Sequence, residues 1–277
     1  MVHMVAGVAN TVCTVWMAAA TLLGAPAHAQ LRSVTHAEQS SFGRRVLMNG
    51  PSTPAEEQLL VRANQDREEH GLAPLNWDPL LAASARAHAD LMARSGEISH
   101  QFEGEAGLTT RAARAGTHFS AVAENVAEAP DAATIHNGWM QSPPHRANLL
   151  DERMDGVGIA IVERDGELFA VEDFSRHVQS LNLEEQERKV GAEVASLGAT
   201  YLADTPAARN SCAMENGYAG ARRPTYVMHY TTSDLSRIPK ELRQLIQNGR
   251  THQVAVGACS VDPSDDFSYF SIAVLVY

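Results

Sequence analysis

Near residue 156 the hydrophobic period of the chain changes, and this change constrains the fold more than any other feature. Upstream, apolar residues recur at helical spacing. From Gly156 the chain reads GVGIAIVER, then Asp165-Gly166, then ELFAVEDF. These are two apolar-rich runs around the dipeptide best suited to a tight hairpin turn. A hairpin that follows several helices implies a sheet covered by helices, so the expected class is α+β or a layered arrangement.

The helices are marked by their ends. Thr53 reads as an N-cap, with Pro54 in the first position and Glu56 three residues after the cap; Leu59 and Ala63 share a face, and Gly71 ends the helix. A second helix starts at Asp78-Pro79 and runs through Leu80, Ser84, Ala87 and Leu91 to Gly96. A third runs from Thr109 or Thr110 to Ala115 and stops at Gly116, and a fourth starts near Asp131 with Ile135 and Trp139 on one face. The first domain then closes near residue 177. Beyond it, Val190, Val194, Leu197 and Tyr201 form one stripe of an amphipathic helix within 183–203. A loop carrying Cys212 leads to a strand at Thr225–Thr231, a short helix at Pro239–Asn248, and a last hairpin of residues 252–260 and 267–277. The steps Val157-Gly158 and Val256-Gly257 are alike, but one shared step does not make a repeat.

The chain has 22 Lys+Arg against 33 Asp+Glu, a net charge of −11, which argues against a nucleic-acid binder. Residues 1–30 hold no Asp, Glu, Lys or Arg, and the apolar stretch Val12–Leu23 runs through Gly24 and Pro26 into Ala27-His28-Ala29. That is the small-x-small pattern of a signal-peptidase site. The stretch is shorter than the roughly 20 residues a spanning helix needs. The expected organisation is a signal peptide at 1–29, a polar linker at 30–52, one domain at 53–177 and a second α+β unit at 178–277. Export follows, with no transmembrane segment in the mature chain. Cleavage removes Cys13 and leaves Cys212 and Cys259, which can close one disulfide in an oxidising compartment or stay as two buried thiols.

Histidines are the informative minority. Ser99-His100, Ala123-Glu124-Asn125-Val126 and the run Ser142 to Leu150, which carries His145, place imidazoles beside a carboxylate and amides. Two imidazoles and one carboxylate can hold a divalent metal such as zinc and leave a position open for water. They can equally form a proton-transfer set, with Glu124 as base or orienter. Spacing does not choose between these, because no single helix can present all three and no His-Glu-x-x-His is present. His88 reads as a structural histidine, Asn148 as a residue satisfying backbone groups at a helix end, and Trp77 and Trp139 as core anchors. The acidic run Glu163, Asp165, Glu167, Glu172, Asp173 reads as a solvated hairpin face. His118, Ser120 and Asp131 lack a Gly-x-Ser-x-Gly elbow and make a poor hydrolytic triad.

The order of these features resembles a bacterial member of the CAP superfamily, the cysteine-rich secretory protein, antigen 5 and pathogenesis-related 1 group, also called the SCP domain. The matching residues are Asn64 and Arg67 before Gly71-Leu72-Ala73-Pro74-Leu75, then Trp77-Asp78-Pro79-Leu80-Leu81, Ala85 to Ala89, and Ser99-His100. They continue with Arg114-Ala115-Gly116, Ala123 to Ala127, Trp139 to Leu150, and Gly156 to Ala160, spanning about residues 54–177. The resemblance implies an α-β-α sandwich, secretion, and a cleft lined by His100, Glu124 and His145, with Asn125, Ser142 and Arg146 as ligand contacts. Where the eukaryotic branch has a second cleft glutamate, this chain has Ser142. Where many bacterial members have Thr-Gln-x-Phe, it has Val171-Glu172-Asp173-Phe174. The resemblance does not extend to residues 178–277.

Three functions follow as expectations. The first is a secreted module that binds a small lipid, another small apolar ligand, or an extracellular protein. The second is a hydrolase using His100, Glu124 and His145, with or without metal. The third is an envelope interaction protein acting through residues 178–277. The resemblance leans away from an enzyme.

Overall fold

The computed structural model describes residues 50–203, 205–214, 216–248, 252–261 and 265–277. The expected signal peptide at 1–29 and all but the last residues of the expected linker at 30–52 lie outside the described residues.

Helix α1 (Pro54–Glu69) opens on the predicted capping box: the Thr53 hydroxyl accepts the Glu56 N–H and the Glu56 carboxylate takes the Thr53 N–H. Strand β1 (Asn76–Trp77) leads into α2 (Pro79–Ser95), which Asp78 caps by accepting two backbone N–H groups and which closes at left-handed Gly96, as read from the sequence. Then come α3 (Leu108–Ala115), β2 (Phe119–Ala129), α4 (Ala132–Gln141), α5 (Pro143–Leu149), β3 (Gly156–Arg164) and β4 (Glu167–His177). The sheet order is β1-β3-β4-β2, with β1 parallel to β3 and the other pairs antiparallel. The β3–β4 turn has Asp165 at φ 56° and Gly166 at φ 86°, the positive pair that a two-residue hairpin of this hand requires.

Helices cover both faces of this sheet. Leu59 of α1 and Ile135 and Trp139 of α4 pack on Val157, Ile159 and Phe174, while Ala85, Ala89 and Met92 of α2 pack on Ala160, Phe169 and Val171. This is the α-β-α sandwich expected. It also corrects one expectation: Glu172 and Asp173 are fully buried, because β4 is a central strand with a helical layer on each side. Strand β1 and two further elements were not foreseen. Strand β2 reads FSAVAENVAEA, an alanine-rich run with little β preference, and it is a strand because β4 pairs with it along its length. Helix α5 begins with Pro143 in its first turn, where a missing N–H costs nothing.

The second sheet is built from α6 (Leu183–Ser196), β5 (Thr200–Leu202), α7 (Pro206–Cys212), β6 (Tyr226–Thr232), α8 (Lys240–Asn248), β7 (Gln253–Cys259) and β8 (Phe270–Val276). Its order is β5-β7-β8-β6, with β5 parallel to β7. Tyr201 lies on β5 and not on the helix expected over 183–203, because Gly198 at φ 102° ends α6 first. Cys212 lies at the end of a helix and not in a loop. Its disulfide to Cys259 joins α7 to β7 across a Cα separation of 5.6 Å. The segment before β8 rests on the start of β2: the Ser268 N–H donates to the Phe119 carbonyl at 2.7 Å, and Phe267 meets the Phe119 ring edge-on at 5.6 Å.

Candidate functional site

Two of the three expected cleft residues meet directly. His100 stands on the segment after α2, half exposed, and its Nδ1 lies 2.8 Å from Oε1 of Glu124, which β2 holds with 6% of its surface exposed. The other carboxylate oxygen of Glu124 takes the Arg111 guanidinium of α3. Arg111 also faces Glu105 at 3.7 Å and donates to the His100 carbonyl at 3.2 Å. His88 is fully buried and structural, as expected: Nδ1 meets Glu105 at 2.7 Å and Nε2 donates to the Ser99 carbonyl at 2.7 Å. Its ring thus holds the segment that presents His100. Arg111 and Glu105 were not singled out in the sequence: α3 carries two cations, Arg111 and Arg114, and nothing local distinguishes the one that meets Glu124.

His145 approaches from α5. Its Nδ1 shares a hydrogen bond with the Ser142 hydroxyl at 2.9 Å, and burial, followed by the positive charge of nearby His100, holds its pKa below the ordinary 6.5. It makes no hydrogen bond to Glu124. Asn125, expected to touch ligand, is fully buried and positions α5 instead, donating to the His145 carbonyl at 3.2 Å. Asn148 does not cap a helix end; its amide donates to the Glu124 carbonyl at 3.2 Å and to Asn125 Oδ1 at 2.9 Å. Arg146 points away and donates to His70 at 3.0 Å. His118 instead meets Ser268 at 3.3 Å and Asp131 caps α4 through Thr134, so the weak triad does not assemble.

Beneath Glu124 sits Asp173, directly across the β2–β4 pair. Burial, then the charge of Glu124, raise its carboxyl well above the usual range, with Arg111 opposing. On the other sheet face Glu172 lies across from Asn125, and burial pushes it up to about 8. The Asn125 amide opposes that shift without completing a hydrogen bond of full geometry.

A divalent metal fits this arrangement poorly. Both oxygens of Glu124 are engaged, the nearest cation is already a guanidinium, and among the described residues no three His, Cys, Asp or Glu side chains are grouped as a metal set. Close by, α4 and α5 enclose an open groove of about 580 Å³, lined by Met140, Pro143, Ala147 and Leu150 together with Gln141 and Arg146. A groove of that size is within the range of small-molecule sites.

Residues 60–174 match the model of the cysteine-rich secretory protein family, CAP. The chain is 31% identical over 110 residues to an uncharacterised membrane protein of Bacillus subtilis, YlbC, covering 39% of this chain and 32% of that protein. It is 28% identical over 109 residues to the uncharacterised protein YkwD of the same organism, covering 39% of this chain and 42% of the relative. The chain thus spans well under half the length of each. Among solved structures it is similar to an extracellular protein containing an SCP domain from Bacillus anthracis, with 29% identity, 46% of this chain and 45% of that chain covered, and a TM-score of 0.41.

Proposed function

Since residues 60–174 match the model of the cysteine-rich secretory protein family, we propose that the protein is an exported binding module, and that its ligand is a small lipid-like amphiphile held in the α4–α5 groove. The observation that carries this reading is the groove itself, lined by four apolar side chains together with Gln141 and Arg146. An alkyl chain would lie along Met140, Pro143, Ala147 and Leu150, and an anionic head group would face Arg146. Each buried methylene contributes about 0.8 kcal/mol, so six of them supply roughly 5 kcal/mol. That alone corresponds to a dissociation constant on the order of 100 µM.

The His100–Glu124–Arg111 cluster supports binding over turnover. To act as a base or a metal ligand, Glu124 would first have to give up a donor it already holds. In the hydrolase reading, the same residues would activate water only after that rearrangement. The proposal is tested by extracting the purified mature protein with organic solvent, analysing the extract by mass spectrometry, and measuring zinc in parallel. Recovered fatty acid or a comparable amphiphile, without stoichiometric zinc, is the expected result. A lipid-free protein that also fails to take up added fatty acid would refute it. Stoichiometric zinc that is lost in His145→Ala would favour the hydrolase.

A further inference from the structure

The two sheets follow one plan. Each begins with a helix, a short strand and a second helix, continues with an edge strand and further helix, and ends in a hairpin. The strand orders, β1-β3-β4-β2 and β5-β7-β8-β6, are the same order of use, and in each the first strand is parallel to the third while the others run antiparallel.

Two glycines set the residue-level alignment. A Cβ on Gly158 would strike the Leu81 carbonyl carbon at 2.3 Å and the Ala82 nitrogen at 2.1 Å; one on Gly257 would strike the Ala208 carbonyl carbon at 2.1 Å and the Arg209 nitrogen at 2.4 Å. The second helix therefore crosses the third strand at the same peptide in both halves. With Leu81 placed on Ala208 and Gly158 on Gly257, other equivalences follow without adjustment. The N-caps Asp78 and Thr205 coincide, as do the helix-opening prolines Pro79 and Pro206 and the buried serines Ser84 and Ser211. Ala85 and Ala160, which pack together fully buried, fall on Cys212 and Cys259, the disulfide pair.

A buried ion pair recurs as well. Glu56 of α1 binds Arg86 of α2 and accepts the Ile161 N–H of β3 at 3.0 Å; Glu187 of α6 binds Arg209 of α7 and accepts the Ala258 N–H of β7 at 3.1 Å. In the aligned frame the second set is displaced by four residues on the second helix, from Arg86 to Arg209, and by two on the strand, from Ile161 to Ala258. Those displacements are each about 6 Å, so the whole set has slid as a unit.

We propose that residues 183–277 are a second copy of the fold of residues 54–177 with its cleft erased, and that Glu172 and Asp173 serve the first copy's cleft and not its fold. The ladder registers place His229 where Glu124 stands, Tyr230 at Asn125, Ile272 at Glu172 and Ala273 at Asp173. No described helix stands between α7 and β6 where α3 carries Arg111 in the first copy, and a single helix, α8, stands where α4 and α5 lie. The second copy is thus an internal control. The same strand positions fold with an isoleucine and an alanine, so the fold does not demand two buried carboxyls there. In the first copy, Asp173 lies beside Glu124, and Glu172 beside the Asn125 that holds α5. Both are positioning residues. The duplication stands whether or not the groove binds a lipid; only the assignment of Glu172 and Asp173 to the cleft leans on the functional reading.

The test transfers the staple of one copy to the other. The full-length double variant Ala85→Cys, Ala160→Cys is purified without reductant and mapped by non-reducing peptide mass spectrometry. A cross-link between positions 85 and 160, alongside the native one, is expected; free thiols at both positions, or pairing with Cys212 or Cys259, would overturn the alignment. A crystal structure of the unmodified chain checks it without any variant: Gly158 superposes on Gly257 with the strands in the stated register, and a register shift overturns it. For the second part, Asp173→Ala is expected to melt at the wild-type temperature or above. A clear drop would show that the fold needs Asp173 and would return it to a structural role, with no ligand involved in either readout.

Discussion

Replacing Glu172 by glutamine isolates the energetic effect of one buried carboxyl. Glu172 is fully enclosed on a central strand, and burial pushes its pKa from 4.5 up to about 8. Between those values the folded protein keeps a proton that the unfolded chain has released. The folded state then binds more protons, so stability falls as pH rises from 4.5 to 8 and is level on either side. The slope contributed by one such group is at most about 1.4 kcal/mol per pH unit, which amounts to about 5 kcal/mol across the window. Glu172→Gln keeps the shape and the polar contact to Asn125 but carries no proton to lose. Relative to wild type it is expected to be equally stable at pH 4, about 3 kcal/mol more stable at pH 7 and about 5 kcal/mol more stable at pH 9. Urea unfolding followed by circular dichroism at each pH gives the difference curve directly. Two parallel stability curves, with no convergence at acid pH, would refute the argument that burial of this carboxyl is a pH-dependent cost.

Three further expectations come from other parts of the molecule. Arg67 is buried and donates to the carbonyls of Ala73, Leu149, Asp151 and Met154 at 2.8 to 3.0 Å, tying α1 to the chain after α5. Arg67→Lys keeps the charge but loses the fork, and equilibrium unfolding should show a loss of about 3 kcal/mol or more, because several buried carbonyls are left without donors. Reducing the Cys212–Cys259 bond, which spans 47 residues, should cost the folded state about 4 kcal/mol by chain entropy, read as a lower melting temperature in reductant. In an NMR titration His145 should have a pKa lower than 6.5, and His100→Ala should move it back toward 6.5 by removing one of the two causes.

What the sequence reveals divides along the line between local and long-range causes. The caps at Thr53 and Asp78, the stop at Gly96 and the Asp165-Gly166 turn are set by residues within a few positions, and each appears in the structure where the sequence places it. Strand β2 depends on β4, a partner 39 to 58 residues away, and its own alanine-rich sequence does not announce it. The acidic run around the hairpin illustrates the same limit. Its composition is that of a solvated face, but Glu172 and Asp173 are enclosed by helices that arrive from elsewhere in the chain. At the site, the residues themselves marked out His100, Glu124 and His145, resemblance set them in one cleft, and the structure brings the first two into contact. Arg111 escaped notice because its meaning lies in a carboxylate that only the fold brings to it. The kinship of the two sheets was hidden for a related reason: it survives in crossing points and ladder register, while little but a Val-Gly step and a few isolated residues survives in sequence.

The most direct test of the binding reading is an isothermal titration of laurate into three full-length proteins: the wild type, Ala147→Trp, which fills the groove between α4 and α5, and His100→Ala, which leaves the groove intact. Saturable one-to-one binding to the wild type and to His100→Ala, with at least a tenfold loss in Ala147→Trp, is the predicted result. Equal binding by all three, or no saturable binding by the wild type, would contradict it.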